Sequence, residues 1–208
     1  MAESRIFLLS PARTDGARAR VLLNEHAEFP RAVRLRSPEG AEIGEVFSFL
    51  SGLYFRGKLT YARAFALPDA DPGILVITPD LGLVPPETRV TADDVRRFSG
   101  IDIASGDERY AAPLLRDVRA LAARVPDNAR LVLLGSIATG KYVDALLSVF
   151  GERVVFPSDF VGRGDMSRGG LLLRSAREGT ELTYVPVEGA QRTGKRPPKL
   201  EPARRRRR

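Results

Sequence analysis

The chain has 208 residues, 43% of them apolar and 28% charged, with a formal charge of +7; these are the proportions of a domain that buries a core, not of a collagen, a coiled coil or bulk disorder. With no Cys and only His26 among the imidazoles, disulfides, thiolate metal sites, histidine triads and histidine zinc sites are excluded, and no metal and no cofactor are expected. No apolar run approaches the roughly 18 residues of a bilayer span, and the opening residues have no leader pattern, so the expectation is a cytoplasmic protein without a membrane partner.

In chain order, Arg5 to Ser10 is a short apolar run stopped by Pro11 and predicts a buried strand. His26 lies in a polar segment and is given no role. Phe29 to Gly44 reads as a surface excursion. Phe55, Leu59, Ala62 and Phe65 fall at helical spacing, Ile74 to Thr78 predicts a second buried strand, and Thr91-Ala-Asp-Asp predicts a helix start, with a hydroxyl cap and acids at the positive dipole end. Leu114, Leu115, Val118, Leu121 and Ala122 predict another helix, Arg130 to Leu134 a third buried strand, and Lys141 to Phe150 a helix. Past the apolar Arg153 to Phe156 the chain turns polar and Gly-rich, and Leu171 to Ala176 with Leu182 to Val187 predict a hairpin around Arg177-Glu-Gly-Thr. The sum is an α/β fold: three layers, a mainly parallel central sheet with helices on both faces, and a C-terminal antiparallel hairpin. It forms a single domain over 1–189, followed by a disordered basic tail over 190–208.

The tail accounts for the charge. It carries nine Lys and Arg against Glu201 alone, whereas residues 1–189 hold 24 basic and 25 acidic residues. Such a tail suits sequence-independent contact with a polyanion, and it equally suits a solvated end; any groove for a ligand must come from local clustering in the body.

Ligands of parallel α/β sheets bind beyond the carboxyl ends of the strands. Four loops follow the predicted strands, beginning at Pro11, Pro79, Gly135 and Pro157, and their convergence into one electropositive mouth is expected. Gly135, Gly140 and Lys141 fit Gly-x-x-x-x-Gly-Lys, where backbone N–H groups of the turn, with Ser136 and Thr139, cradle an anion and Lys adds charge. Tyr142 stands where a nucleotide hydrolase needs Ser or Thr for magnesium, so the loop predicts an anion site without hydrolysis, or a plain Gly-rich turn. In the fourth loop Asp159, Arg163, Asp165, Ser167 and Arg168 among glycines suit either a ligand or mutual pairing. Arg56 and Lys58 lie near Tyr54 and Tyr61, either as contacts to bases and phosphates or as the wet face of a helix. The available acids and bases are carboxylates, chiefly Asp80, Asp159 and Asp165; whether the chain is an enzyme is left open.

Three phrases, Ser10-Pro-Ala-Arg-Thr, Phe55-Arg-Gly-Lys followed by Tyr61, and Arg163-Gly-Asp-Met-Ser-Arg, resemble in the same order motifs of the YaaA peroxide-stress family. Thr78-Pro-Asp-Leu-Gly-Leu-Val-Pro-Pro is similar to that family's strand and Gly-Leu turn. With LVLLGSIATGKYV it also resembles the uracil-DNA-glycosylase-like domain of archaeosine-type tRNA-modification proteins. The resemblance spans residues 5–170 in short islands. It implies a DNA- or RNA-associated α/β protein in stress response or nucleic-acid modification, with Ser10, Arg13, Arg56, Lys58, Arg163, Ser167 and Arg168 at the matching positions. The family has a helix after the Met-Ser-Arg phrase, and the water-activating Asp motif of active uracil glycosylases is not found. The expected function is therefore nucleic-acid binding or nucleobase handling. The alternatives are an enzyme of free nucleotides or phosphates using Gly135–Lys141, and a non-catalytic interaction module with a basic tail.

Overall fold

Two apolar runs, β1 (Arg5–Leu9) and β6 (Arg130–Leu134), lie side by side and parallel, with Arg5 opposite Arg130 and Leu9 opposite Leu134. Ile6 to Leu9 and Leu131 to Leu134 are all buried, as strands without polar alternation must be when both faces of a sheet are covered. Each such side chain contributes about 1.5–3 kcal/mol relative to exposure. The computed structural model describes residues 4–67, 71–104, 106–138 and 140–198.

Besides β2 (Ala41–Glu42), which pairs with β5 (Arg89–Val90) in a small antiparallel patch, the strands form one six-stranded sheet. β3 (Ile74–Ile77) runs parallel to β1 on the side away from β6, and β7 (Val154–Pro157) runs parallel to β6. The edges are antiparallel: β4 (Leu83–Val84) on β3 and β8 (Tyr184–Pro186) on β7, giving the order β4-β3-β1-β6-β7-β8. Around the sheet are α1 (Ala17–Leu22), α2 (Pro30–Arg36), α3 (Ile43–Ser51), α4 (Leu53–Phe65), α5 (Ala92–Ser99), α6 (Glu108–Ala122), α7 (Gly140–Phe150) and α8 (Asp165–Glu178). The expected α/β fold, with its mainly parallel sheet and C-terminal antiparallel pair, is what the chain adopts. Among the described residues no helix is long and apolar enough to cross a membrane.

Local chemistry explains several element ends. Thr91 caps α5 in a reciprocal box: its hydroxyl accepts from the Asp94 amide, and the Asp94 carboxylate accepts from the Thr91 amide at 2.7 Å, an arrangement that contributes about 1 kcal/mol. Gly52 separates α3 from α4 with φ +61 and ψ −122, a conformation that side-chain-bearing residues rarely adopt.

Two segments depart from expectation. Leu171 to Ala176 is not a strand but part of α8, so the antiparallel pair is β7 with β8 and the intervening chain is helical. The apolar triplet Leu171 to Leu173 imitates a strand because α8 turns small residues inward: its buried positions are Gly169, Leu172 and Ser175, and they face α4. A Cβ on Gly57 of α4 would stand 2.7 Å from the Gly169 carbonyl oxygen, and one on Gly169 would stand 2.7 Å from that of Leu53. The two helices therefore meet backbone to backbone. The other departure is Phe29 to Gly44, which is no surface excursion: α2 and β2 bury Ala32, Leu35 and Ala41 completely. Only Ala32 and Leu35 of α2 point inward between exposed residues, too sparse a pattern to announce a helix.

Candidate functional site: a cleft at the strand ends

Chain connections leave β1 toward β3 and leave β6 toward β7, so the carboxyl ends of β1 and β6 form the topological switch point of the sheet. A cleft of about 760 Å³ opens there, within the range of sites for small organic ligands. All four loops that follow the parallel strands reach it: Ser10 to Asp15 after β1, Pro79 after β3, Ser136, Lys141 and Tyr142 after β6, and Asp165 after β7. Opposite them stand Phe98 to Ile103, the end of α5 and the loop after it, with Ser51 and Tyr54.

The mouth is not electropositive. Arg13 and Lys141 face Asp15, Asp102 and Asp165. Arg13 is already engaged, its Nε donating to Asp15 Oδ1 at 2.5 Å and its Nη2 to Oδ2 at 3.1 Å; the hydrogen bond and the charge of each partner raise the Arg13 pKa and lower that of Asp15. The lining is otherwise rich in hydroxyls, with Ser10, Thr14, Ser51, Ser99 and Ser136 beside the rings of Tyr54, Phe98 and Tyr142.

The Gly135 to Lys141 turn joins β6 to α7 as expected, with Ser136 and Lys141 on the cleft. Thr139 lies outside the described residues. Tyr142, the residue that breaks the hydrolase pattern, is structural here, since its buried ring closes the turn and its hydroxyl donates to the Ser136 carbonyl at 2.8 Å. Burial raises its pKa, opposed in part by the neighbouring Ser10 hydroxyl. Gly135 has no room for a side chain, since a Cβ would stand 2.8 Å from both Ser10 Cβ and the Tyr142 hydroxyl. The Asp144 carboxylate packs against Gly140 at the start of α7.

Lys58 belongs to neither expected class. It is not on a wet helix face and does not line the cleft; it is 1% exposed, directly behind Ser10. Its Nζ donates to the Ser10 carbonyl at 2.6 Å and to Ser10 Oγ at 2.9 Å, and the Tyr54 and Phe55 ring centroids lie 4.5 and 4.8 Å away. Removal from water lowers its pKa to about 7, a shift resisted by the charge of Asp165 and assisted by that of Arg168. Among the described residues the buried Tyr54 hydroxyl has no hydrogen-bond partner, and burial raises its pKa.

The remaining candidates lie elsewhere. Arg56 is exposed and outside the cleft lining. Arg163 donates to the carbonyls of Asp159 at 3.0 Å and Pro198 at 3.5 Å, and to Ser167 Oγ at 3.2 Å, so it secures its own loop and the segment beyond β8. Arg168 spans the Phe160 carbonyl with Nε and Nη2 at 3.2 and 3.1 Å. Of the three carboxylates, Asp80 pairs with Arg97 and is not among the lining residues, Asp159 is exposed outside the cleft, and only Asp165 borders it. Among the described residues no group of three or more His, Asp or Glu could hold a metal ion.

Sequence reasoning missed the Phe98 to Ile103 wall because it is built from a helix end and the loop after it, outside the strand-end rule. Of the two tyrosines read beside Arg56 and Lys58, Tyr54 lines the cleft and Tyr61 does not. No protein-family model matches the chain, and no curated protein or solved structure matches it.

Proposed function

We propose that the protein handles nucleobases, receiving one nucleotide unit of a nucleic acid in the switch-point cleft. The observation that carries this is the composition of that cleft: aromatic rings at Tyr54, Phe98 and Tyr142, five hydroxyl side chains, and Lys141 as an anion partner, in about 760 Å³. A duplex does not fit such a volume, whereas an unstacked base with its sugar and phosphate does. The Lys- and Arg-rich residues 190–208 supply the sequence-independent attraction to the polyanion that the nearly neutral body lacks. The resemblance to the YaaA family supports the same reading, since its phrases meet at one place: Lys58 on Ser10, and Gly57 on Gly169.

The three carboxylates of the lining favour a second reading, an enzyme of free nucleotides, because acids close to the entrance oppose a polyanion more than a single nucleotide. Fluorescence polarisation with labelled single-stranded DNA, duplex DNA and tRNA separates the two when run beside thermal shifts with mononucleotides. The nucleic-acid reading expects single strands to bind, with a loss of about tenfold or more in Lys141→Ala, as for one charge-assisted contact. Stabilisation by mononucleotides without oligonucleotide binding selects the second reading, and equal affinity in Lys141→Ala contradicts both.

A further inference from the structure

Nucleotide binding leaves one feature of the cleft unused. Ser10 stands at the carboxyl end of β1 on the cleft wall, and both hydrogen bonds of the lysine behind it go to that one residue, to its carbonyl at 2.6 Å and its Oγ at 2.9 Å. The rest of the Lys58 head is packed against the Tyr54 and Phe55 rings. A lysine used only to tie β1 to α4 would need a carbonyl partner; here its nitrogen also touches a hydroxyl that borders an open cleft. The charged groups near it are Asp165 and Arg168 of α8, which act in opposite directions, and burial outweighs both, so the amine sheds its proton near pH 7. In the neutral form Nζ keeps an N–H on the Ser10 carbonyl and presents its lone pair to the Ser10 hydroxyl proton.

We infer that Ser10 and Lys58 form a nucleophile and general-base pair that cleaves small carboxylic esters or amides in this cleft. Ser10 Oγ forms a bond to the substrate carbonyl carbon as its proton passes to Nζ, and the carbonyl π pair moves onto oxygen. When that pair returns, the bond from carbon to the leaving oxygen or nitrogen breaks, and the leaving group takes the proton from the Lys58 ammonium. Water then attacks the acylated serine, giving its proton to Nζ, and Oγ departs with that proton. The net reaction consumes one water and releases an acid with an alcohol or amine.

The surroundings of Ser10 suit the charge that builds on the carbonyl oxygen. Gly135 lets the backbone of the β6–α7 turn come against the nucleophile, a Cβ there falling 3.1 Å from Ser10 Oγ. Lys141, at the positive end of α7, borders the same cleft. The pair shares the cleft proposed for a nucleotide unit but needs no nucleotide.

The test is to treat the full-length protein with a fluorophosphonate and with p-nitrophenyl acetate between pH 6 and pH 9, followed by peptide mapping. One adduct per chain on Ser10 is expected, formed about tenfold faster at pH 8 than at pH 6 as the amine of Lys58 becomes neutral. Lys58→Met should slow it by about a hundredfold or more, the scale of a lost general base, and Ser10→Ala should abolish it. Folded wild-type protein without a Ser10 adduct, or Lys58→Met labelling at the wild-type rate, overturns the inference. Should Lys58→Met fail to fold, the wild-type profile decides, and a flat one overturns it. Labelling without nucleotide binding keeps the pair and removes the nucleotide reading; nucleotide binding with Ser10 inert does the reverse.

Discussion

Lys58 is the residue on which physical cost and chemical use meet most directly. An ammonium taken wholly out of water is expensive unless a counter-charge accompanies it, and here its hydrogen bonds go to a carbonyl and a hydroxyl. The cost is relieved by deprotonation, which fixes how stability depends on pH. Lys58 titrates near 7 when folded and near 10.5 when exposed, so between those values the unfolded chain holds a proton that the folded chain does not. Stability contributed at this site therefore rises with pH across that window, and below it the full cost of the buried charge is present. Urea denaturation of wild type and Lys58→Met at pH 6, 8 and 10 measures this as a difference in which other titrations cancel. The wild type should gain steadily on the variant as pH rises; a difference that does not change with pH would mean that Lys58 is solvated. From sequence alone Lys58 was indistinguishable from Arg56, because both are cations at neighbouring positions of one helix. One helical turn decides the matter, since Lys58 shares the inward face with Tyr54, Phe55 and Tyr61 while Arg56 does not.

The packing of α4 on α8 brings three chemistry-bearing phrases of the chain together. Gly57 and Gly169 let the helices touch at backbone distance, which holds Lys58 behind Ser10 and Arg168 over the Phe160 ring at 5.5 Å. Alanine is the better helix former by about 1 kcal/mol, so on propensity alone Gly57→Ala and Gly169→Ala should stabilise. The contacts predict the opposite. Each new methyl meets a backbone carbonyl at 2.7 Å, where no side chain can move aside, and overpacking of this kind costs about 1–3 kcal/mol. Denaturation midpoints should fall in both variants; a rise in either would show that the helices have room to part. The same small-residue seam explains why α8 was illegible. A helix that buries glycine and serine shows no apolar stripe, and Leu171 to Leu173 then reads as a strand. By contrast α5 and α6 were legible, because Thr91 and Asp94 spell out a cap and the apolar residues of α6 keep strict helical spacing.

At the scale of the whole molecule, the parallel strands follow from apolar runs stopped by Pro or Gly, and their common direction places every following loop at one edge. That much of the site could be derived from the chain: Ser10, Arg13, Ser136, Lys141 and Asp165 do line one cleft. What could not be derived was the pairing of side chains across it. Asp80, Arg163 and Arg168 carry suitable chemistry yet are consumed by Arg97, by the carbonyls of Asp159 and Pro198, and by the Phe160 carbonyl. The balance of charge at the mouth was equally hidden, since Asp102 comes from a loop that no parallel strand precedes. The claim that the switch-point cleft receives a nucleotide unit is tested most directly by hydrogen–deuterium exchange of the full chain with and without a single-stranded oligonucleotide. The account predicts slowed exchange in three separate stretches, 10–15, 98–103 and 136–142, all of which border the cleft; slowing confined to residues 190–208, or to surfaces remote from these stretches, would contradict it.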